Sequence, residues 1–316
     1  MPLASGMAAQ FGLAEESAYG TIVTPNRFYE LVSESLKMER ERIHSSAIRP
    51  GRRVLHRWAP GVVKVGGEVE LELPNRYLSV LLKHMFGSLT ITGSGPYTHT
   101  AVPGDLAGKS LTVQVGRPDI GGTVRPFTYS GCKISEWSIK ASVGEYAQLS
   151  LSFVGRNETT ATALATASYP SDLSPFVFTH ASLTIASASF PVKEIELSGN
   201  NGLVDDRRYL TGANSGLIAE PLEAAVREYT GSFKADFSDL TAYNRYVDGT
   251  EASLELAFNA GANSQLVVTC NVRFDGETPN VEGHELLELS QPFVCVHSSS
   301  DASAITAVLT TSEAAA

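Results

Sequence analysis

Covalent catalysis needs a nucleophile, a base within hydrogen-bond reach and a group that orients the base, so the Ser, Cys, His and carboxylate positions come first. The seven histidines, His44, His56, His84, His99, His180, His284 and His297, stand singly, with no His-x-x-x-His or His-Glu-x-x-His spacing. No Gly-x-Ser-x-Gly elbow is present either, so neither a catalytic centre nor a metal site nor a cofactor is expected. Asp205-Asp206 beside Arg207-Arg208 could hold a metal or a phosphate, but a solvated, self-paired turn is the simpler reading. Gly121-Gly122 and Gly199-Asn200-Asn201-Gly202 lack the Lys-Ser/Thr or strand-to-helix context of a phosphate loop and read as turns. Cys132, Cys270 and Cys295 are widely spaced with no Cys-x-x-Cys pair, which favours buried reduced thiols over a disulfide framework or a zinc site.

Two charged patterns carry a different kind of chemistry. In Glu68-Val69-Glu70-Leu71-Glu72-Leu73 a period of two places three carboxylates on one face of a strand and three apolar side chains on the other. Like charges stacked along a strand are mildly unfavourable. Two readings stay open: the wet face of a half-buried sheet, or the wall of a water-filled channel on which negative charge keeps a polyanion from sticking. The second pattern is basic. Lys37, Arg40, Arg42, Arg49, Arg52, Arg53 and Arg57 crowd into one stretch of a chain whose net charge is −10. Such a patch is either solvated surface or the complement of an acidic patch on a neighbouring subunit. With a pI near 5.2 the chain lacks the basic footprint of a tight nucleic-acid binder.

The elements that must hold these residues are mostly strands. Cys132 to Lys140 alternates apolar and polar residues, Val143-Gly144 turns the chain, and Tyr146 to Gly155 returns as a hairpin. Comparable strands are expected at Phe28 to Leu36, Leu111 to Val115, Ala181 to Ile185, Val192 to Leu197, Ser253 to Phe258, Gln265 to Phe274 and Phe293 to His297. Two segments read as helices. One follows Pro74 and carries Tyr77, Leu78, Leu81, Leu82 and Met85 along a stripe before Gly87; the other has Ser238 as N-cap and Leu240, Tyr243 and Val247 on its inner face before Gly249.

The construction is repeated. Gly67 to Leu73 runs into the first helix and Gly231 to Phe237 into the second, the two glycines being 164 positions apart. Glu30-Leu31 and Glu194-Ile195 keep the same spacing. An internal repeat points to symmetric or pseudo-symmetric assembly. The reading is an arm over 1–20, a first domain over 21–156, a linker over 157–170, a second domain over 171–310 and a tail over 311–316. At 43% hydrophobic and 18% charged the composition is globular, no apolar run is long enough for a transmembrane span, and the first residues do not read as a signal peptide.

The run Glu15 to Phe28, followed by Ser33 to Ile43 and Arg49-Pro50-Gly51-Arg52-Arg53, resembles the start of major tail tube proteins of long-tailed bacteriophages. Tyr129 to Ile139 and the late segment Val272 to Pro279 through Leu289 to Phe293 resemble that family as well. The resemblance implies a mainly β fold of two tandem tail-tube-type β-sandwich or barrel domains, each with one flanking α-helix. It implies rings whose inner strands join around a channel through which DNA passes without specific binding. It further implies a virion tail location, assembly in the host cytoplasm and no membrane. Implied partners are other copies of the chain, a tape-measure protein, a tail terminator and distal tail proteins.

Two domains per chain then suggest trimeric, pseudo-hexameric rings, with six chains as the alternative. Candidate lumen-facing residues are Glu68, Glu70 and Glu72 with their repeat counterparts Ser232, Lys234 and Asp236. The candidate ring-stacking loop is Lys37 to Arg57, with its seven basic residues. Outside this family the competing readings are a secreted carbohydrate-binding or adhesive β-sandwich protein and an all-β hydrolase, the latter lacking any nucleophile and base pair to nominate.

Overall fold

The computed structural model describes residues 5–212, 215–276, 278, 281, 286–298 and 302–315, and is 49% strand and 8% helix. Met1 to Ala4 of the expected arm, His284, Glu277 and Pro279 of the late segment, and Ala316 of the expected tail lie outside the described residues. In chain order the strands are β1 (Gln10–Glu15), β2 (Arg27–Tyr29), β3 (Leu31–Glu34), β4 (Lys37–His44), β5 (Trp58–Glu72), β6 (Gly87–Thr92), β7 (Tyr97–Pro103), β8 (Leu111–Pro118), β9 (Val124–Ser142) and β10 (Gln148–Gly155). They continue with β11 (Asn157–Thr159), β12 (Ala181–Ile185), β13 (Ala188–Ser189), β14 (Glu194–Asn200), β15 (Glu228–Asp236), β16 (Ala252–Asn259), β17 (Ser264–Phe274), β18 (Glu288–Cys295) and β19 (Ile305–Thr311). Helices α1 (Leu78–Phe86) and α2 (Thr241–Asp248) follow β5 and β15.

The pairing is antiparallel throughout and forms two long runs. One run is β3 and β4, then β5, β10, β9, β14, β15 and β18. The other is β12, β16, β17, β19, β7 and β6. The last residues of β17 join the runs by pairing with β18. A smaller group, β2, β1 and β8, pairs with the first part of β9. Both runs cross from one repeat to the other: β9 pairs with β14 from Glu136↔Asn200 to Ser142↔Glu194, and β19 lies between β17 and β7.

Period-2 patterning produces this arrangement directly. Along β17, Leu266, Val268, Cys270, Val272 and Phe274 are buried while the residues between them are wetter, and along β5 the apolar Val69 and Leu71 are fully buried. The repeat is visible in the fold as strand, helix, hairpin and returning strand. β5 and β15 end at Glu72 and Asp236, 164 residues apart; hairpins β6–β7 and β16–β17 follow the helices, and β10 and β18 return beside β5 and β15. Gly67, the first residue of the repeat, has φ +148, and a Cβ there would come within 2.5 Å of the Ser35 carbonyl oxygen, so only glycine fits.

Several expectations change. Helix α1 is buried nearly all round, not along one stripe: Leu78, Val80, Leu81, Leu82, His84, Met85 and Phe86 are all enclosed, because β6, β7 and β9 surround it. Helix α2 buries only Ala242; Leu240 and Val247, expected on its inner face, are more than half exposed, and the helix rests on β17 and, through Gln291 donating to the Ala242 carbonyl, on β18. Its N-cap is Leu240, without a side-chain cap, and not Ser238; just before it, Asp239 Oδ1 accepts from the Thr241 amide at 2.7 Å. The first eight residues of the expected loop Lys37 to Arg57 form β4. The expected N-terminal arm contains β1, where Phe11 and Leu13 are fully buried. Within 157–170, Ala165 is buried and its backbone is held by Gln10 and Gln114. At the C-terminal end Glu313 accepts from the Tyr77 amide at 2.9 Å.

Candidate assembly surfaces

Pairing register places all six candidate lumen residues on one face of the first run. Glu68, Glu70 and Glu72 of β5 lie beside Ser152, Ser150 and Gln148 of β10, which lie beside Glu136, Ser138 and Lys140 of β9. The rows continue through Asn200, Ser198 and Glu196 of β14 to Glu228, Thr230 and Ser232 of β15, with Lys234 and Asp236 further along β15. Between these positions the other face is apolar: Leu71, Leu151, Trp137, Ile139, Leu197 and Phe233 are at most 2% exposed.

From the Glu68 row onwards the wet face thus carries nine carboxylates (Glu68, Glu70, Glu72, Glu136, Glu194, Glu196, Glu228, Asp236 and Glu288) against Lys140, Lys234 and Lys193, a balance of −6. The acids are partly compensated at one end only. Lys140 and Lys234 reach Glu194 at 3.4 and 3.5 Å, and Lys193 bridges Asp236 and Glu288 at 2.7 and 2.6 Å. Partial burial works against ionisation of Glu194, yet these two lysines hold its carboxyl below the usual carboxylate range. Asp236 and Glu288 together push the Lys193 ammonium pKa up. Glu68, Glu72, Glu196 and Glu228 form no ion pair among the described residues.

Five of the nine acids, Glu136, Glu194, Glu196, Glu228 and Glu288, are not among the residues the sequence pattern singles out as lumen-facing. Glu194-Ile195-Glu196-Leu197 shows the same period as Glu68 to Leu73, but nothing along the chain says that β14 lies beside β9. The sequence pattern also relates Glu68, Glu70 and Glu72 only to their repeat counterparts, whereas their spatial neighbours are Ser152, Ser150 and Gln148 of β10.

The basic cluster is spread along a projecting hairpin. β4 is exposed at every position, and of residues 45–60 only Ser45 is even partly covered. Residues 37–57 hold seven basic and two acidic side chains, a local charge of +5 that leaves −15 on the rest of the chain. Lys37 is taken by Glu39 at 2.7 Å, and Arg42 lies 5.6 Å from the exposed Trp58 ring. Arg49, Arg52, Arg53 and Arg57 are exposed beside Ile48, Val54 and Leu55, each at least 70% exposed, so the tip is both cationic and apolar.

Ionisable groups away from these surfaces serve packing. His84 is buried in α1 and meets Glu15 of β1 at 2.9 Å; burial depresses its pKa, so at neutral pH the uncharged ring donates Nε2–H to the carboxylate. That contact and Lys83, at 2.7 Å, hold the Glu15 pKa at about 2. Arg117 ties β8 to β3, donating to both Glu34 oxygens and to the Leu36 carbonyl. The Asp205–Arg208 turn is self-paired through the backbone: Arg208 donates to the Asp205 carbonyl at 2.9 Å. Gly199, read as part of a turn, lies within β14 against the Trp137 ring.

The family model described as phage tail tube protein matches residues 6–295. This chain belongs to the phage tail tube protein family. No curated protein matches it in sequence. Tail tube proteins are structural, which gives the antiparallel β-rich architecture a place in the virion tail and disfavours the secreted carbohydrate-binding reading. Membership also implies self-assembly into a tube, so the two surfaces of this tail tube chain are candidates for assembly. Among the described residues no helix is long and apolar enough to cross a membrane.

Proposed function

We propose that three copies of this chain close a pseudo-hexameric ring, that rings stack into the tail tube, and that the acidic face of the first run lines the channel through which DNA leaves the virion. The observation carrying this reading is the β9–β14 pairing, which makes two repeats into one continuous sheet with a single wet, acidic face. That sheet ends in strands whose outer sides have no strand partner among the described residues: β3 and β4 at one end, and Glu288 to Gln291 of β18 at the other. An open edge is a template for pairing with another chain. Joining β18 of one copy to β3 and β4 of the next would bring first and second repeats edge to edge between chains, as β9 and β14 do within one, and close a barrel without free edges.

The acidic wall then repels a polyanion over its whole length, so DNA slides without being gripped. The +5 hairpin, leaving the body beyond this sheet, is the arm that docks on the adjacent ring, where the −15 remainder of the next copy supplies complementary charge. A tape-measure protein, a terminator and distal tail proteins are the further partners this reading expects. Electron microscopy of the purified protein at rising concentration tests it: hollow tubes with three chains per ring are expected, and a protein that stays monomeric at all concentrations overturns it.

A further inference from the structure

The second repeat also has a connection where the first has its arm. The second repeat's connection between β14 and β15, described over 201–212 and 215–227, corresponds to the arm tip between β4 and β5, but these residues fold onto the first repeat. It is rooted there by buried charge. Lys133, 2% exposed, donates to Glu220 at 2.7 Å and to the Leu106 and Pro221 carbonyls; Arg227 donates to the Phe86 carbonyl at 2.5 Å and to that of Gly104; Glu223 accepts from the Leu106 amide at 3.0 Å.

From that root the connection reaches the base of the arm. β10 accompanies β5 only as far as Gly155↔Val65, while β4 accompanies its other side to Trp58. Where β10 runs out, Val63 would have an unpaired amide and carbonyl on that side. The connection takes both: the Val63 amide donates to the Gly216 carbonyl at 3.0 Å, and Arg208 Nη2 donates to the Val63 carbonyl at 2.9 Å. Arg40 of β4 donates to the Ser215 carbonyl at 3.5 Å, so both strands of the arm are touched. The approach is backbone to backbone. Gly216 has φ +80, and a Cβ on it would come within 2.5 Å of the Gly61 oxygen. Ile218, 1% exposed, anchors the contact next to it.

We propose that the β14–β15 connection is a brace for the arm: it stands in for the missing end of β10, fixes the angle at which the β4–β5 hairpin leaves the body, and gives up a projecting role of its own. Each chain then presents one arm for its two repeats, so contacts between rings recur three times per ring, not six. This rests on the reading above that the arm docks on the next ring, but the brace itself can be tested without assembly.

The test is hydrogen exchange on the unassembled full-length chain, wild type against Gly216→Val and Arg208→Met. The valine strains the backbone and collides with Gly61; the methionine keeps the stem and removes the donor, and serves if the valine does not fold. Amides of Val63 and of β4 are expected to exchange at least about tenfold faster in either variant, with β9 and β14 unchanged. Unchanged exchange at Val63 and β4 in a folded variant overturns the brace. In electron micrographs the braceless variants are expected to give short or irregular tubes. Tyr209→Ala with Leu210→Ala, both exposed on the connection, is expected to assemble as wild type; loss of tubes with Val63 exchange unaltered would overturn the single-arm claim. If wild type forms no tubes, the ring-stacking reading fails and the exchange result still decides the brace.

Discussion

Replacing Trp137 with Ala tests whether the two repeats share one core. Trp137 on β9 is 2% exposed; its ring centroid lies 5.2 Å from that of Phe86 on α1 and 6.1 Å from that of Tyr229 on β15, so it touches both repeats. Truncating a buried Trp costs about 3–5 kcal/mol in transfer and cavity terms. The site is poorly able to collapse, because Gly199 beneath the indole has no side chain to move into the space; this pushes the cost towards the upper end. One term offsets it. The indole Nε1–H is buried without an acceptor, and its removal returns about 1 kcal/mol. The net expectation is about 3–4 kcal/mol, and about 1–2 kcal/mol for Trp137→Phe, which keeps a ring and drops the orphan donor. Urea unfolding of the unassembled chain by circular dichroism is the assay. With a slope of about 3 kcal/mol per molar urea, the Ala variant should shift the single midpoint by roughly 1 M. A shift under about 0.3 M, or two transitions of which only one moves, would refute the shared core.

Changing Glu68, Glu70 and Glu72 to Lys takes the wet face from −6 to neutral per chain; intact particles should then eject DNA more slowly, most clearly at low salt, and normal ejection at low salt counts against a charged channel. Deleting Arg49 to Arg53 should leave a folded subunit that does not elongate, because all five residues are exposed and the deletion removes three charges from the arm; tubes of wild-type length would contradict its docking role. Melting temperature should fall with acidity in two stages. His84 is held neutral, so stability drops as pH falls through 6.5, where the unfolded chain takes up a proton that the fold excludes; Glu15, with its pKa lowered from 4.5 to about 2, loses its contribution as pH falls from 4.5 towards 2. Glu15 is one-third exposed, so after solvent screening its share is about 1–2 kcal/mol, and a Glu15→Gln variant with the wild-type profile below pH 4.5 would sink that assignment. Cys132 and Cys270 are buried with their thiol pKa values pushed up by burial and, for Cys270, first by its contact with Cys295; a thiol reagent should label Cys295 first, and prompt labelling of all three would be inconsistent with this packing.

The sequence by itself determined the strands whose alternation is strong, because a period of two commits a segment to one dry and one wet face before any partner is chosen. β5, β10, β16 and β17 were legible for that reason, as were the stop of α1 at Gly87 and the 164-residue repeat, and the tail tube resemblance followed from residue order alone. β1, β6, β7 and β19 were not legible: their strand character comes from the neighbours they pair with. The same residue pattern could not separate α1 from α2, since burial of a helix depends on how the elements around it enclose it; α1 has β6, β7 and β9 around it, and α2 lies against β17 and Gln291 of β18 with most of its surface open.

What only the tertiary structure decided is adjacency. Glu68 to Glu72 are an acidic strand in the sequence, but they become part of a nine-carboxylate face because β9 and β14 bring the two repeats edge to edge. Likewise the Lys37–Arg57 segment is a charge run in the sequence, and it becomes an arm because β4 pairs with β5 and because Gly216 and Arg208, some 150 residues away, meet Val63 where β10 ends. Periodicity is local and survives in one dimension; register and long-range hydrogen bonding join residues whose separation along the chain carries no signal.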